Sequence, residues 1–110
     1  MPVTDLGRIA IPNLPFRYRN RAVLDSAATI TEKTTYVGLI RVANRTGTAA
    51  TITITDNAGT PFEYYTAVSV PANSVAHERI ALPLMFVDGI IITAGTADAL
   101  TIEVFGWQGS

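Results

Sequence analysis

The chain contains no cysteine, and this absence excludes two kinds of chemistry. The fold cannot be cross-linked by disulfide bonds, and no metal can be bound by thiolates. The 110 residues suit a single domain, and that domain must be held together by a modest apolar core. The redox compartment in which the protein works is left open.

Histidine is nearly as scarce, since His77 is the only one. A metal site built on a histidine pair is therefore excluded. A catalytic triad is also disfavoured, because Ser74 and Glu78 lie three residues and one residue away on a predicted strand and point away from the face of His77. Asp56-Asn57-Ala58-Gly59 matches only the start of a calcium loop and suits a hairpin turn. We expect a protein that is not an enzyme and that has no cofactor and no metal.

Long apolar runs are missing as well. The longest run, Gly89-Ile90-Ile91-Ile92, has the length of a strand and falls far short of the roughly 18 residues that a membrane-spanning helix needs. Residues 1–20 contain no continuous apolar segment of the kind that secretory signals have. We expect no membrane contact and no signal peptide.

Charged residues make up only 15% of the chain, and they are distributed unevenly. Residues 1–21 hold four arginines and one aspartate, a charge of +3, and the remainder carries −4, which gives the formal charge of −1. Three prolines in the first segment disfavour a helix. This break predicts an extended basic arm, residues 1–20, and a β-domain, residues 21–110.

The β-domain shows short β-branched segments separated by turn residues at spacings near ten. The predicted strands are 21–31, 36–44, 49–55, 61–70, 74–82 (ended by Pro83), 86–93 and 99–107. No segment has helical periodicity. The pattern predicts an all-β fold, an antiparallel β-sandwich of seven to eight strands with jelly-roll or immunoglobulin-like topology.

Alternation along the strands predicts which side chains are buried. In residues 49–55, Ala50, Ile52 and Ile54 share one face, and three threonines share the other. Extending this alternation gives a predicted core of Leu24, Val37, Leu39, Ile52, Ile54, Phe62, Tyr64, Val68, Ile80, Leu82, Ile90, Ile92, Leu100, Ile102 and Val104.

The arm carries the clearest candidate interface. Its large apolar residues are out of place in a tail kept in water, and arginines alternate in Arg17-Tyr18-Arg19-Asn20-Arg21. We expect the arm to dock on an acidic neighbouring subunit. Nucleic-acid binding is a weaker alternative, because the arginines are few and the body is acidic. A third interpretation is that these charged residues are merely solvated. The candidate arm residues are Arg8, Phe16, Arg17, Tyr18, Arg19 and Arg21. Deletion of residues 1–20 is expected to leave the body folded and to abolish docking.

Three aromatic residues of the body fall out of phase with the predicted core. Tyr65, Phe105 and Trp107 lie on the opposite face of their strands, and aromatic residues on such faces are enriched at interfaces. They are the candidate interface residues of the body. The alternative is that the arm covers these rings within one chain. The sequence does not decide between the two.

From Thr46 to Phe105 the order of strand and turn motifs resembles that of a known class of proteins. A threonine-alternating strand leads to Asp-Asn-Ala-Gly and an aromatic strand; Val-Pro-Ala-Asn-Ser, Leu-Pro-Leu, Asp-Gly-Ile-Ile-Ile and Gly-Thr-Ala-Asp then follow in order. About 60 residues resemble the small β-sandwich structural proteins of tailed-bacteriophage virions, especially capsid decoration (cement) proteins.

That resemblance implies a subunit made in the host cytoplasm and located in the virion, on the capsid surface. It implies a homo-oligomer, most often a trimer, that stabilises the head by contacts with the major capsid protein or other virion subunits through a terminal arm. A tail, baseplate or fibre module that binds a carbohydrate or receptor is the alternative, with Tyr64, Tyr65 and Trp107 as its aromatic platform.

Overall fold

The computed structural model describes residues 14–108, apart from the side chains of residues 80–82. The described chain is all β, with eight strands and no helix, as predicted. The strands are β1 (Leu14–Asn20), β2 (Ala28–Thr31), β3 (Thr35–Asn44), β4 (Ala50–Asp56), β5 (Glu63–Val70), β6 (Ser74–Phe86), β7 (Ile90–Ala94) and β8 (Leu100–Gln108).

The strands form two antiparallel sheets that pack into a β-sandwich. Sheet A has the order β1-β8-β3-β6, and sheet B has the order β2-β7-β4-β5. Strand β1 pairs with β8, β2 with β7, β3 with β6 and β4 with β5, so the first four strands pair in reverse order with the last four. This is the eight-stranded jelly roll, so the structure decides between the two topologies that the sequence left open.

The core lies between the sheets and is built from the inward residues of both. Eight predicted core residues are confirmed as buried: Val37, Ile52, Ile54, Ile90, Ile92, Leu100, Ile102 and Val104. Five further large residues complete the core although the sequence pattern did not select them: Val23, Ile40, Val42, Val70 and Phe86. The side chains of Ile80 and Leu82, also predicted in the core, lie outside the described residues.

A bulge at Gly38 explains why Leu39 does not belong to the core. Val37 pairs with Gly106 and Leu39 with Phe105, so Gly38 is an extra residue in β3. An extra residue reverses the alternation beyond it. Val37, Ile40 and Val42 therefore point inward, and Leu39 points outward, contrary to the prediction.

A second irregularity, in β5, corrects the assignments there. Tyr65 pairs with Ile54 and Val68 with Ile52, so two residues of β5 oppose Thr53, and one of them, Ala67, has φ of 44°. Tyr65 therefore lies on the same side as the buried Ile54, contrary to the predicted phase. Val68 is exposed because β5 is an edge strand.

Two more predicted core residues are exposed because they lie outside the strands. Phe62, 62% exposed, precedes β5, and Leu24, 52% exposed, lies in the connection between the sheets. Within that connection Val23 points inward instead, and its backbone bonds to Leu100 and Asp98. Tyr64 is only partly buried and stacks on Phe86 at 4.0 Å between ring centroids.

The predicted arm and the predicted break at Pro83 also differ from the structure. Residues 14–20 form β1 and pair along their length with β8, so this part of the arm is a strand of the sandwich. Residues 1–13 of the arm lie outside the described residues. Strand β6 continues through Pro83 to Phe86. An edge strand tolerates proline, and the register with β3 shifts at this point.

Gly106 marks a close approach between β8 and β3. A Cβ atom at this position would lie 2.1 Å from the carbonyl oxygen of Tyr36 and 2.9 Å from its carbonyl carbon. We expect Gly106→Ala to lower the free energy of unfolding by about 1–3 kcal/mol, because backbone must move to admit the methyl group. Gly47→Ala, with no atom within 4 Å of its Cβ position, is the control. Urea unfolding of both variants checks this prediction; equal stabilities would contradict it.

Candidate functional site: the outer face of sheet A

The outward side chains of sheet A form one surface, here called the outer face, in three rows that each cross all four strands. The first row is Pro15, Trp107, Tyr36 and Met85. The second row is Arg17, Phe105, Leu39 and Arg79. The third row is Arg19, Glu103, Arg41 and His77.

The first row is apolar and accessible to solvent. Trp107 is 39% exposed and Met85 is 45% exposed, and Pro15 is exposed at the other edge. Neighbouring strands lie about 4.8 Å apart, so the row extends roughly 15 Å across the sheet. The indole of Trp107 lies against Gly38, where a Cβ atom would be 3.0 Å from it. The missing side chain of Gly38 thus leaves room for the Trp107 ring.

The second row joins aromatic and basic groups. The guanidinium of Arg17 lies 5.4 Å from the centroid of the Phe105 ring, which is a cation–π distance. Phe105 is half-buried beneath it, with Leu39 on its other side. The second row therefore extends the apolar surface of the first row through Phe105 and Leu39, and its two arginines adjoin the arginines of the third row.

The third row is organised by Glu103. Its carboxylate forms ion pairs with Arg19 Nε at 3.2 Å and with Arg41 Nη1 at 3.0 Å. The Glu103 side chain is 18% exposed, whereas the two arginine side chains are far more exposed. Ion pairs at a surface contribute little stability, roughly 0–1 kcal/mol each. Their effect is to hold two guanidinium groups at fixed positions on the sheet.

Charge is segregated between the outer face and the rest of the molecule. Four arginines and one glutamate give the three rows a charge of +3, and because the chain has −1, all other residues together carry −4. A face of one sign beside a body of the other favours association with an oppositely charged surface.

A cleft of about 480 Å³, here called the arginine cleft, lies at the end of the outer face beyond the third row. Its lining includes Arg19 and Arg41 from the strands and Arg21 and Arg45 from the following turns. The carbonyl oxygen of Arg21 accepts hydrogen bonds from Thr101 Oγ1 at 3.1 Å and from Arg45 Nη2 at 3.2 Å. The bond from Thr101 fixes the rim of the cleft to β8, and the bond from Arg45 joins it to the segment that follows β3.

The structure brings five of the nine predicted interface residues to this region. Arg17, Arg19, Phe105 and Trp107 lie on the outer face, and Arg21 lines the arginine cleft. Arg8 lies outside the described residues.

Phe16 and Tyr18 have a different position from the predicted one. They alternate with the arginines of β1, point inward and pack half-buried against the core of their own chain. The arm thus covers its own sandwich with these two rings.

Tyr65 does not lie on the outer face but in a groove at the edge of the sandwich between β5 and β6. Its hydroxyl donates a hydrogen bond to Glu78, which joins sheet B to sheet A. Burial and, to a smaller extent, this hydrogen bond raise the pKa of Tyr65 well above its ordinary value. Tyr65 therefore ties the two sheets together, and this corrects its assignment to the interface face.

Sequence reasoning missed Tyr36, Arg41, Arg79 and Met85 as members of the surface. They become neighbours only through the cross-strand register, which pairs them with residues between 36 (Arg41 with His77) and 71 (Tyr36 with Trp107) positions away. A local signal exists for Arg41 alone: it follows Gly38 in a β-branched strand, where a bulge turns it outward.

Other kinds of site find little support within residues 14–108. No cluster of three potential metal ligands occurs among the described residues. The Asp56 carboxylate accepts hydrogen bonds from the backbone of Ala58 and Phe62, so it shapes the β4–β5 loop. In the described part of the chain, no helix has the length and apolarity to cross a membrane.

Comparison of the sequence with family models and with curated proteins gives no relative from which a function can be transferred. No family model matches the chain. No curated protein matches it either. A functional proposal for this chain therefore depends on the geometry and chemistry of the outer face.

Proposed function

We propose that this protein is a non-enzymatic structural subunit of a tailed-bacteriophage virion, a decoration (cement) protein that stabilises the capsid. The observation that carries the proposal is the outer face, on which exposed apolar residues and arginines form adjoining rows across all of sheet A. A surface with exposed aromatic, methionine and arginine side chains has the composition of a protein interface.

The fold supports the same class of function. Double-sheet jelly rolls recur in virus capsid subunits and in lectins, although a fold alone does not define a function. In our proposal the first row packs against a second copy of the chain to form a closed oligomer, a trimer, and the arginines face the major capsid protein or another virion subunit. A closed ring buries the same row in every copy.

The solution mass of the purified chain tests this proposal. Light scattering after size exclusion is expected to give three times the chain mass of 11.8 kDa. Trp107→Glu and Met85→Glu, at separate positions of the first row, are expected to give single chains because a carboxylate would be buried without a partner. Leu24→Glu, an exposed position at the opposite end of the sandwich, is expected to keep the trimer.

Circular dichroism of each variant separates loss of assembly from loss of folding. A wild-type mass of one chain at every concentration would contradict the proposal. So would an oligomer that survives both charge substitutions while the variants remain folded.

A carbohydrate-binding module is the second candidate, and Trp107 is the observation that favours it. The exposed indole beside Tyr36 is a surface on which a sugar ring stacks. The platform expected from the sequence is not formed, since Tyr64 and Tyr65 lie on sheet B. Binding on a glycan array that Trp107→Ala abolishes would support this candidate, and an array without hits would reject it.

A further inference from the structure

The arginine cleft is a concave site with a high density of one chemical group. Four arginines line it, and Glu103 is the single carboxylate among its lining residues. The cleft has a charge of +3 in a chain whose total charge is −1. Such a recess attracts anions more strongly than the isolated arginines would, because the field of several cations adds within a concave surface.

Three of the four guanidinium groups, those of Arg19, Arg41 and Arg45, have contacts within the protein before any ligand enters. Glu103 holds Arg19 and Arg41 by ion pairs, and Arg45 donates to the backbone of Arg21. Fixing these long side chains in the free protein lowers the conformational entropy that binding would otherwise cost. The cleft is therefore organised for recognition of a charged group of fixed geometry.

The chemistry of the cleft favours carboxylates as that group. A planar guanidinium binds carboxylates through paired hydrogen bonds, and the contact of Glu103 with Arg19 and Arg41 shows that a carboxylate fits between them. The neighbouring rows supply apolar contacts through Phe105 and Leu39.

We propose that the arginine cleft binds the side-chain carboxylates of an acidic segment, rich in Asp and Glu, of a partner protein. A volume of about 480 Å³ admits a few residues of such a segment. This inference deepens the proposed function and rests on it for the partner being a protein. In this arrangement the apolar first row holds copies together, and the arginine cleft captures the partner.

The test is a titration of the full-length protein with a C-terminally amidated hexaglutamate peptide that carries fluorescein on its N-terminal amine. Fluorescence anisotropy is measured at low ionic strength, where surface charges are least screened. Arg21→Ala and Arg45→Ala are each expected to weaken binding by about threefold or more, on the scale of a partly exposed ion pair. Lys33→Ala removes one positive charge in the β2–β3 turn, away from the cleft lining, and is expected to leave binding unchanged.

Glu103→Gln gives a prediction of opposite sign. It raises the charge of the cleft from +3 to +4, and the amide oxygen of glutamine can still accept a hydrogen bond from Arg19 or Arg41, so the side chain keeps its size and part of its positioning role. Binding of hexaglutamate is expected to tighten by about threefold or more. Weaker binding would show that additional positive charge in the cleft does not favour the peptide, and it would overturn the inference.

Two further probes identify the source of the negative charge. Pyrophosphate and a single-stranded thymidine dodecamer are titrated under the same conditions. Tighter binding of the dodecamer than of hexaglutamate, weakened by Arg45→Ala, would replace the acidic peptide with nucleic acid and overturn the inference. Absence of peptide binding, or binding that the arginine substitutions reduce no more than Lys33→Ala does, would also overturn it. None of these results alters the solution mass of the chain, so the proposed function is tested separately.

Discussion

A chain that lacks residues 1–20 is expected, contrary to the expectation from the sequence, to be strongly destabilised, whereas a chain that begins at Leu14 keeps every strand pairing described for the two sheets. Removing β1 leaves β8, a central strand, as the new edge of sheet A. It also removes Phe16 and Tyr18, which pack half-buried against the core. Half-burial of two aromatic side chains corresponds to roughly 2–3 kcal/mol.

This loss of unfolding free energy is large compared with the roughly 5–15 kcal/mol that stabilises a domain of this kind. The melting temperature is expected to fall by about 10 °C or more. The exposed edge of β8 is also expected to promote aggregation, since an unpaired edge is a template for further strands. Circular dichroism melts of the two shortened chains measure the difference. Equal melting temperatures would show that β1 does not contribute to the sandwich.

Replacement of Phe86 by alanine is expected to be the most damaging single substitution in the core. Phe86 is fully buried, with 0% exposure, and the ring of Tyr64 stacks on it. Truncation leaves a cavity where β6 ends, and Phe→Ala changes of this type lower the free energy of unfolding by about 3–5 kcal/mol.

Phe62→Ala is the matched control, because it removes the same atoms from an exposed ring. Because this ring pairs with Tyr64 at 4.9 Å between centroids, the substitution is expected to lower the free energy of unfolding by about 1 kcal/mol, well below the effect of Phe86→Ala. Chemical denaturation of the two variants gives both values. A larger loss for Phe62→Ala would mean that the assignment of the two rings from the sequence, which placed Phe62 in the core and omitted Phe86, was right.

The comparison of these two rings shows what local pattern determines and what it does not. Alternation in β4 and in β8 was sufficient to predict the core residues there, because those strands are regular and central. In β3 and β5 a single extra residue, at Gly38 or near Ala67, reversed the phase. In β3 the local signs of this reversal are Gly38 itself and Arg41, which the unshifted phase would turn inward, whereas in β5 each phase presents a tyrosine and neither is favoured.

The outer face was predictable only in part, for a related reason. The arginines of β1 and the aromatic residues of β8 were identified from their own strands, but their contact depends on the pairing of β1 with β8. Arg41 and Glu103 are 62 residues apart and meet through the pairing of β3 with β8. Pairing across such distances is a property of the jelly-roll order, and the sequence pattern left that order open.

The central claim is that the outer face of sheet A is buried when the protein assembles, and hydroxyl-radical footprinting tests it most directly. Oxidation rates are measured by mass spectrometry for the purified chain at protein concentrations above and below the one at which it assembles. We predict slower oxidation of Trp107 and Met85 in the assembled state and an unchanged rate at Leu24, which is exposed at the opposite end of the sandwich. Unchanged rates at Trp107 and Met85, or protection of Leu24 in their place, would contradict the claim.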